Sequence, residues 1–167
     1  SGTSLVKLAD MDSSATVQVV KCTHPDGLTA DTACPYCGKK CGHGNIDQTT
    51  GKCPDCGYQK AVSLTVDGTT TFFDTFPDAA AAANGKTGAL LTLLKDEVLT
   101  DDNLIPEFKS GSVTVDWKGH TLSSTATRKK TMLWIAGTAD VTLKDSSGNN
   151  AGGMNSVGTA INISGGF

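Results

Sequence analysis

No apolar run of about 18 residues occurs in this chain, so it offers no membrane-spanning helix. Nor does a basic stretch lead into an apolar one near its start, the pattern of an export signal. A glycine-rich phosphate cradle, a nucleophile elbow and a His-Glu-x-x-His helix are also missing. Charge of one sign is scarce: 14 Lys and Arg against 17 Asp and Glu leave a net charge of −3. With no basic stripe and only 5% aromatic residues, the chain lacks a platform for nucleic acid, which is not an expected partner. Apolar residues are thin in the first sixty positions, which hold all six cysteines. A unit that small needs metal or disulfides to hold it together.

What is present is a duplicated spacing. Cys22-x-His24-x₉-Cys34-x₂-Cys37 recurs 19 residues later as Cys41-x-His43-x₉-Cys53-x₂-Cys56, and Lys21/Lys40, Pro35/Pro54 and Gly38/Gly57 recur with it. Each copy supplies three sulfurs and one imidazole, the complement that closes a tetrahedral structural zinc site. In Cys-Pro-x-Cys-Gly, proline fixes φ, the two-residue gap turns both thiols toward one point, and glycine can take positive φ to close the turn. An even number of cysteines also permits a disulfide framework, and a CxxC permits redox chemistry. Neither explains why a histidine recurs at the offset of the cysteines. The repeat therefore predicts two zinc ions, held by Cys22, His24, Cys34, Cys37 and by Cys41, His43, Cys53, Cys56. Two other pairings stay open: a ribbon of Cys34, Cys37, Cys53 and Cys56 alone, and a cross-braced swap between copies. Four strong ligands leave no position for water, so the expected metal role is structural.

From residue 69 the composition turns to Gly, Thr, Ser and Asp with short apolar runs, as in β structure with many turns. Phe76, Ala79, Ala80 and Ala83 fall on one stripe of a short helix, with Pro77 in its first turn, Thr75 or Phe76 before it and Asn84-Gly85 as the stop. The alanine face suits a lid on a β surface. Strands are expected at Leu90–Leu94, Val113–Trp117, Leu133–Ile135, Val141–Leu143 and Ile161–Ile163. Val113 to Val141 and Leu133 to Ile161 are both 28 residues apart. Strands recurring at such a period suggest a solenoid, with a sandwich of hairpins as the competing arrangement.

The runs Phe76–Ala83, Leu91-Thr92-Leu93-Leu94-Lys95-Asp96, Val115-Asp116-Trp117-Lys118-Gly119-His120-Thr121-Leu122 and Val141-Thr142-Leu143-Lys144-Asp145-Ser146-Ser147-Gly148 carry a resemblance. Residues 70–167 resemble the right-handed parallel β-helix (pectate-lyase-like) repeats of secreted and surface proteins from Gram-positive gut bacteria. Trp117-Lys118 departs from the Leu-Asn usual in that pattern. The cysteine repeats look like small modules found in such proteins. The resemblance implies a mostly β fold: a tandem zinc module with an N-terminal strand over residues 1–60, then a helix-capped start of a β-helix over 61–167. It implies an extracellular or cell-surface setting, with a signal peptide and anchor outside these residues, and a structural role contacting carbohydrate or a host surface protein.

Relatives of that fold include polysaccharide-cleaving enzymes, so the alternative is a fragment of a lyase or glycosidase. A glycosidase needs two carboxylates about 5–10 Å apart. Asp116, Asp145 and Glu107 are available, but each reads equally as a turn or solvent residue, and His120 as a turn histidine. No enzymatic activity is expected. Both chain ends look cut from a longer protein, and Ile161 and Ile163 would lie on an open edge prone to end-to-end self-association.

Overall fold

The computed structural model of the chain describes residues 42–100, 105–125 and 131–165. The chain divides into two compact units with the boundary between Tyr58 and Gln59. The strand expected near the N-terminus lies outside the described residues.

The second unit is mostly β with one helix. Its strands are β1 (Val62–Val66), β2 (Thr69–Phe73), β3 (Ala89–Leu93), β4 (Glu97–Leu99), β5 (Glu107–Phe108), β6 (Ser112–Asp116), β7 (Thr121–Ser124), β8 (Leu133–Ala136), β9 (Asp140–Lys144), β10 (Gly153–Asn155) and β11 (Ile161–Ser164). They form three sheets, in the orders β2-β1-β3-β6-β9, β10-β7-β4 and β11-β8-β5. From β3 onward each strand pairs in parallel with the strand three places further along. The strands thus fall into successive sets, β3–β5, β6–β8 and β9–β11, each giving one strand to each sheet. The 28-residue spacing is a register: Val113 lies beside Val141, and Leu133 beside Ile161.

The pleat sends alternate side chains into the core, and the parallel register stacks like on like. Leu91, Val115 and Leu143 are successive neighbours in one sheet, and Phe108, Ile135 and Ile163 in another. Along the second column Phe108 is fully buried, Ile135 half-buried and Ile163 61% exposed. Burial therefore decays toward the last set.

The other end of the core is closed by an antiparallel hairpin and a helix. In the hairpin β1–β2, Asp67 (φ 49°) and Gly68 (φ 77°) make the two-residue turn whose twist matches paired strands. The helix α1 (Phe76–Ala83) begins at Thr75, whose Oγ accepts the Asp78 N–H at 3.3 Å, and buries Phe76, Ala79, Ala80 and Ala83. Small alanines let its backbone approach β1, β3 and β5 closely. Both carboxylate oxygens of Glu97, on β4, accept the Phe76 N–H at 2.9 Å. This carboxylate satisfies an otherwise orphaned donor at the positive end of the helix. Burial pushes the Glu97 carboxyl up, and the Phe76 hydrogen bond only partly offsets it.

Candidate metal centre

In the first unit, residues 42–58 build two linked turns. Asp47 Oδ1 accepts the N–H groups of Thr49 and Thr50 at 2.8 and 2.7 Å, closing the first. Those hydrogen bonds, the Thr50 one foremost, hold its carboxyl below the usual carboxylate range. The chain then returns through Cys53-Pro54-Asp55-Cys56-Gly57. Gly57 N–H donates to the Cys53 carbonyl at 2.8 Å, and Cys53 N–H to the Tyr58 carbonyl at 2.7 Å. Gly57 has φ 73°, the conformation expected of the glycine after the second cysteine.

This fold-back brings His43, Cys53 and Cys56 together. One donor atom from each lies within 4.8 Å of the others. His43 Nδ1 and Cys56 Sγ are 3.4 Å apart. That is close to the edge of a tetrahedron around a small cation with ligands at 2.0–2.3 Å, about 3.5 Å. Cys53 is fully buried and Cys56 half-buried, and both carry thiols rather than a disulfide. Two thiols and an imidazole converging on one point can hold a metal ion, and the donor chemistry fits a borderline-soft one. Cys22, His24, Cys34, Cys37 and Cys41 lie outside the described residues.

Two supports of this site have no counterpart in the expected ligand sets. The Tyr58 ring stacks on the His43 imidazole, with centroids 4.2 Å apart and planes at 26°. Asn45 Nδ2 donates to Asp55 Oδ2 at 2.9 Å, tying the segment after the histidine to the cysteine turn. Tyr58 follows Cys56-Gly57 directly, whereas Lys39 holds that place in the first copy. This break in the repeat was the available signal.

The carboxylates weighed for catalysis sit in the second unit, Asp116 and Asp145 at corners between strands and Glu107 on β5. Asp116 is 5% exposed and accepts the N–H groups of Lys118 and Ser146, each at 3.0 Å. Burial alone would raise its carboxyl, but the hydrogen bonds from Ser146 and Lys118 and the nearby Lys144 ammonium outweigh it and hold it low. Asp145 takes the N–H groups of Gly119, Ser147 and Gly152 at 2.8, 3.1 and 2.8 Å. The Gly152 bond leads these in pushing its carboxyl down to about 2. Asp96, after β3, accepts the Thr121 N–H at 2.9 Å, which foremost holds its carboxyl low, and lies 3.4 Å from His120 Nδ1. Glu107 pairs with Lys109 at 2.9 Å. The three aspartates are acceptors for turn backbone.

Among the described residues no helix is long and apolar enough to cross a membrane. No family model, curated protein or solved structure matches the chain.

Proposed function

We propose that this chain is a structural and presenting portion of a secreted or cell-surface bacterial protein. In this reading a zinc-organised module precedes the capped start of a right-handed parallel β-helix. The observation that carries it is the strand order: β3, β6 and β9 share one sheet, β4, β7 and β10 a second, and β5, β8 and β11 a third. A chain that visits three parallel sheets in strict rotation is winding, and each set is one coil. Right-handedness follows from the preference of parallel crossovers for that hand, about 98% of cases. A sandwich of hairpins would pair consecutive strands antiparallel, which among these strands only β1 and β2 do.

The metal of the first unit is zinc, with two ions per chain, each tetrahedral and structural. The approach of His43 to Cys53 and Cys56 supports the sequential assignment of Cys41, His43, Cys53 and Cys56, because a four-cysteine ribbon gives His43 no reason to be there. The duplicate set of Cys22, His24, Cys34 and Cys37 follows by the repeat. Zinc binding would supply much of the folding free energy of so small a unit.

No catalytic role is assigned. Asp116 and Asp145 spend their oxygens on backbone donors, and a depressed carboxyl is a poor general acid. The experiment has two arms. An experimental structure should show β3 crossing to β6 through β4 and β5 with right-handed sense; a left-handed or two-layer arrangement rejects the scaffold. Incubation with polygalacturonate and neutral glycans should release no unsaturated or reducing ends. Cleavage that disappears in Asp116→Asn would make the chain part of a polysaccharide-active enzyme.

A further inference from the structure

The outward face of the β5–β8–β11 sheet carries one large aromatic side chain. Leu133 is buried, so the pleat turns Trp134 out, and it is 37% exposed. Its neighbours across the ladder are Glu107 on one side and Asn162 on the other, each about 4.8 Å away by strand spacing. The indole Nε1–H donates to Ser164 Oγ, on the adjacent strand two residues beyond Asn162. Ser164 is itself the register partner of Ala136. This bond ties the ring to the adjacent strand at the level of the small Ala136, and more than a third of the residue stays exposed.

We propose that this patch is a carbohydrate subsite, taking the C–H face of a neutral pyranose on Trp134 and its hydroxyls on Glu107 and Asn162. The inference rests on the presenting role proposed above and gives it a ligand class and a place. The aromatic face is negative and attracts the polarised C–H groups of a sugar ring. The Ser164 bond fixes the indole and the Lys109 ion pair holds the Glu107 carboxylate, so little ordering remains to oppose binding. A membrane or protein partner would need a contiguous apolar patch of a few hundred Å². Here the outward neighbours are Glu107, Asn162 and Ser164. Single-stranded nucleic acid also stacks on aromatics, but it needs a positive track; Glu107 borders this ring and Lys109 is engaged by it.

The test is titration of the whole chain with cellohexaose, mannohexaose and xylohexaose, read by isothermal calorimetry for every variant and, where Trp134 is present, also by tryptophan emission and by the indole N–H resonances. Trp117 is only 5% exposed, so a solvent-sensitive change reports Trp134. At least one sugar should shift the emission to the blue and move the Trp134 resonance. Trp134→Ala should weaken that binding at least about tenfold and Asn162→Ala about threefold, while Trp134→Tyr retains it. Zinc content and the amide spectrum of each variant report the scaffold separately. Sugar binding by a chain that proves not to be a β-helix would reject the scaffold and keep the subsite. No response to any of the three at about 10 mM, or binding unchanged in Trp134→Ala, overturns the proposal. So does an emission shift produced by phosphatidylcholine vesicles or oligothymidylate but by no sugar.

Discussion

Asp145 accepts the backbone N–H of Gly119 at 2.8 Å, although the two residues belong to corners of successive strand sets. The bond has a reciprocal: Asp116, beside Gly119's turn, accepts the N–H of Ser146, beside Asp145. Each corner lends a carboxylate to the other's backbone, so adjacent sets are stitched twice at one point. Two of the three carboxylates that the sequence offers for catalysis, Asp116 and Asp145, are the two halves of that stitch.

Stability should therefore depend on acid. The folded Asp145 carboxyl lies near 2 against an ordinary 3.8. Its contribution is fully present above about pH 4 and is lost as pH falls through about 2. Asp96 and Asp116 are depressed too and act with the same sign. Glu97, raised by burial, acts oppositely, its contribution fading as pH rises through its folded value. Asp145→Asn should be less stable than the parent at pH 7, with the gap closing toward pH 2. Urea unfolding at several pH values measures this, and a pH-independent gap would refute the assignment.

The turn after Asp116 holds a second lever. Lys118 has φ 49° and Gly119 φ 83°, with the His120 N–H on the Trp117 carbonyl at 2.8 Å. Lysine pays a steric penalty in that conformation, which asparagine tolerates better. Lys118→Asn should stabilise the protein by about 0.5–1 kcal/mol, seen as a higher thermal midpoint. An unchanged or lower midpoint would mean that Lys118 makes a compensating interaction.

The whole chain should carry two zinc ions, and Cys56→Ser should remove one of them. Native mass spectrometry with elemental analysis gives the count. Chelation should collapse the amide dispersion of residues 22–58 and spare the second unit, because binding and folding of small metal modules are coupled. Three disulfides and no stoichiometric metal would defeat the prediction.

Ile163 is 61% exposed, while Phe108, two places earlier in the same column, is fully buried. The strands β9, β10 and β11 are also each the last in their sheets. Such edges recruit strands. The chain should self-associate at high concentration through residues near 159–165, and Ile163→Lys should reduce this by sedimentation analysis. A strictly monomeric parent at millimolar concentration would count against the prediction.

Much of this arrangement is legible from residue spacing. The stripe of Phe76, Ala79, Ala80 and Ala83 marks the buried face of α1, and Thr75 caps it. The five expected strands all form, within a residue or two of their expected ends, and the 28-residue period survives as register. Six strands escape notice, for two reasons. β4, β5, β7 and β10 are two to four residues long, too short for alternation to register. β1 and β2 announce themselves through Asp67-Gly68 rather than through period, a turn signal that was there to be read. At the candidate metal centre the spacing singles out His43, Cys53 and Cys56, the group whose donor atoms converge and could hold a metal ion. It cannot show the Tyr58 stack, which depends on where the cysteine turn lays its exit.

The Asp67-Gly68 hairpin also orders events in time. β1 and β2 meet across a two-residue loop, whereas Ala89 waits for Val113 and Val113 for Val141 before each acquires its parallel neighbour. Parallel pairing from an open chain is slow, because loop closure is paid before any contact rewards it. A nascent chain leaving the ribosome can finish the hairpin and lay β3 along β1 before β6 has emerged. Every later strand then docks on an edge that already exists. Pulse-labelled exchange during refolding should find β1 and β2 protected before β9, and protection in the reverse order would contradict it. Growth from a seeded end would make translation itself the guide that keeps successive strands in register.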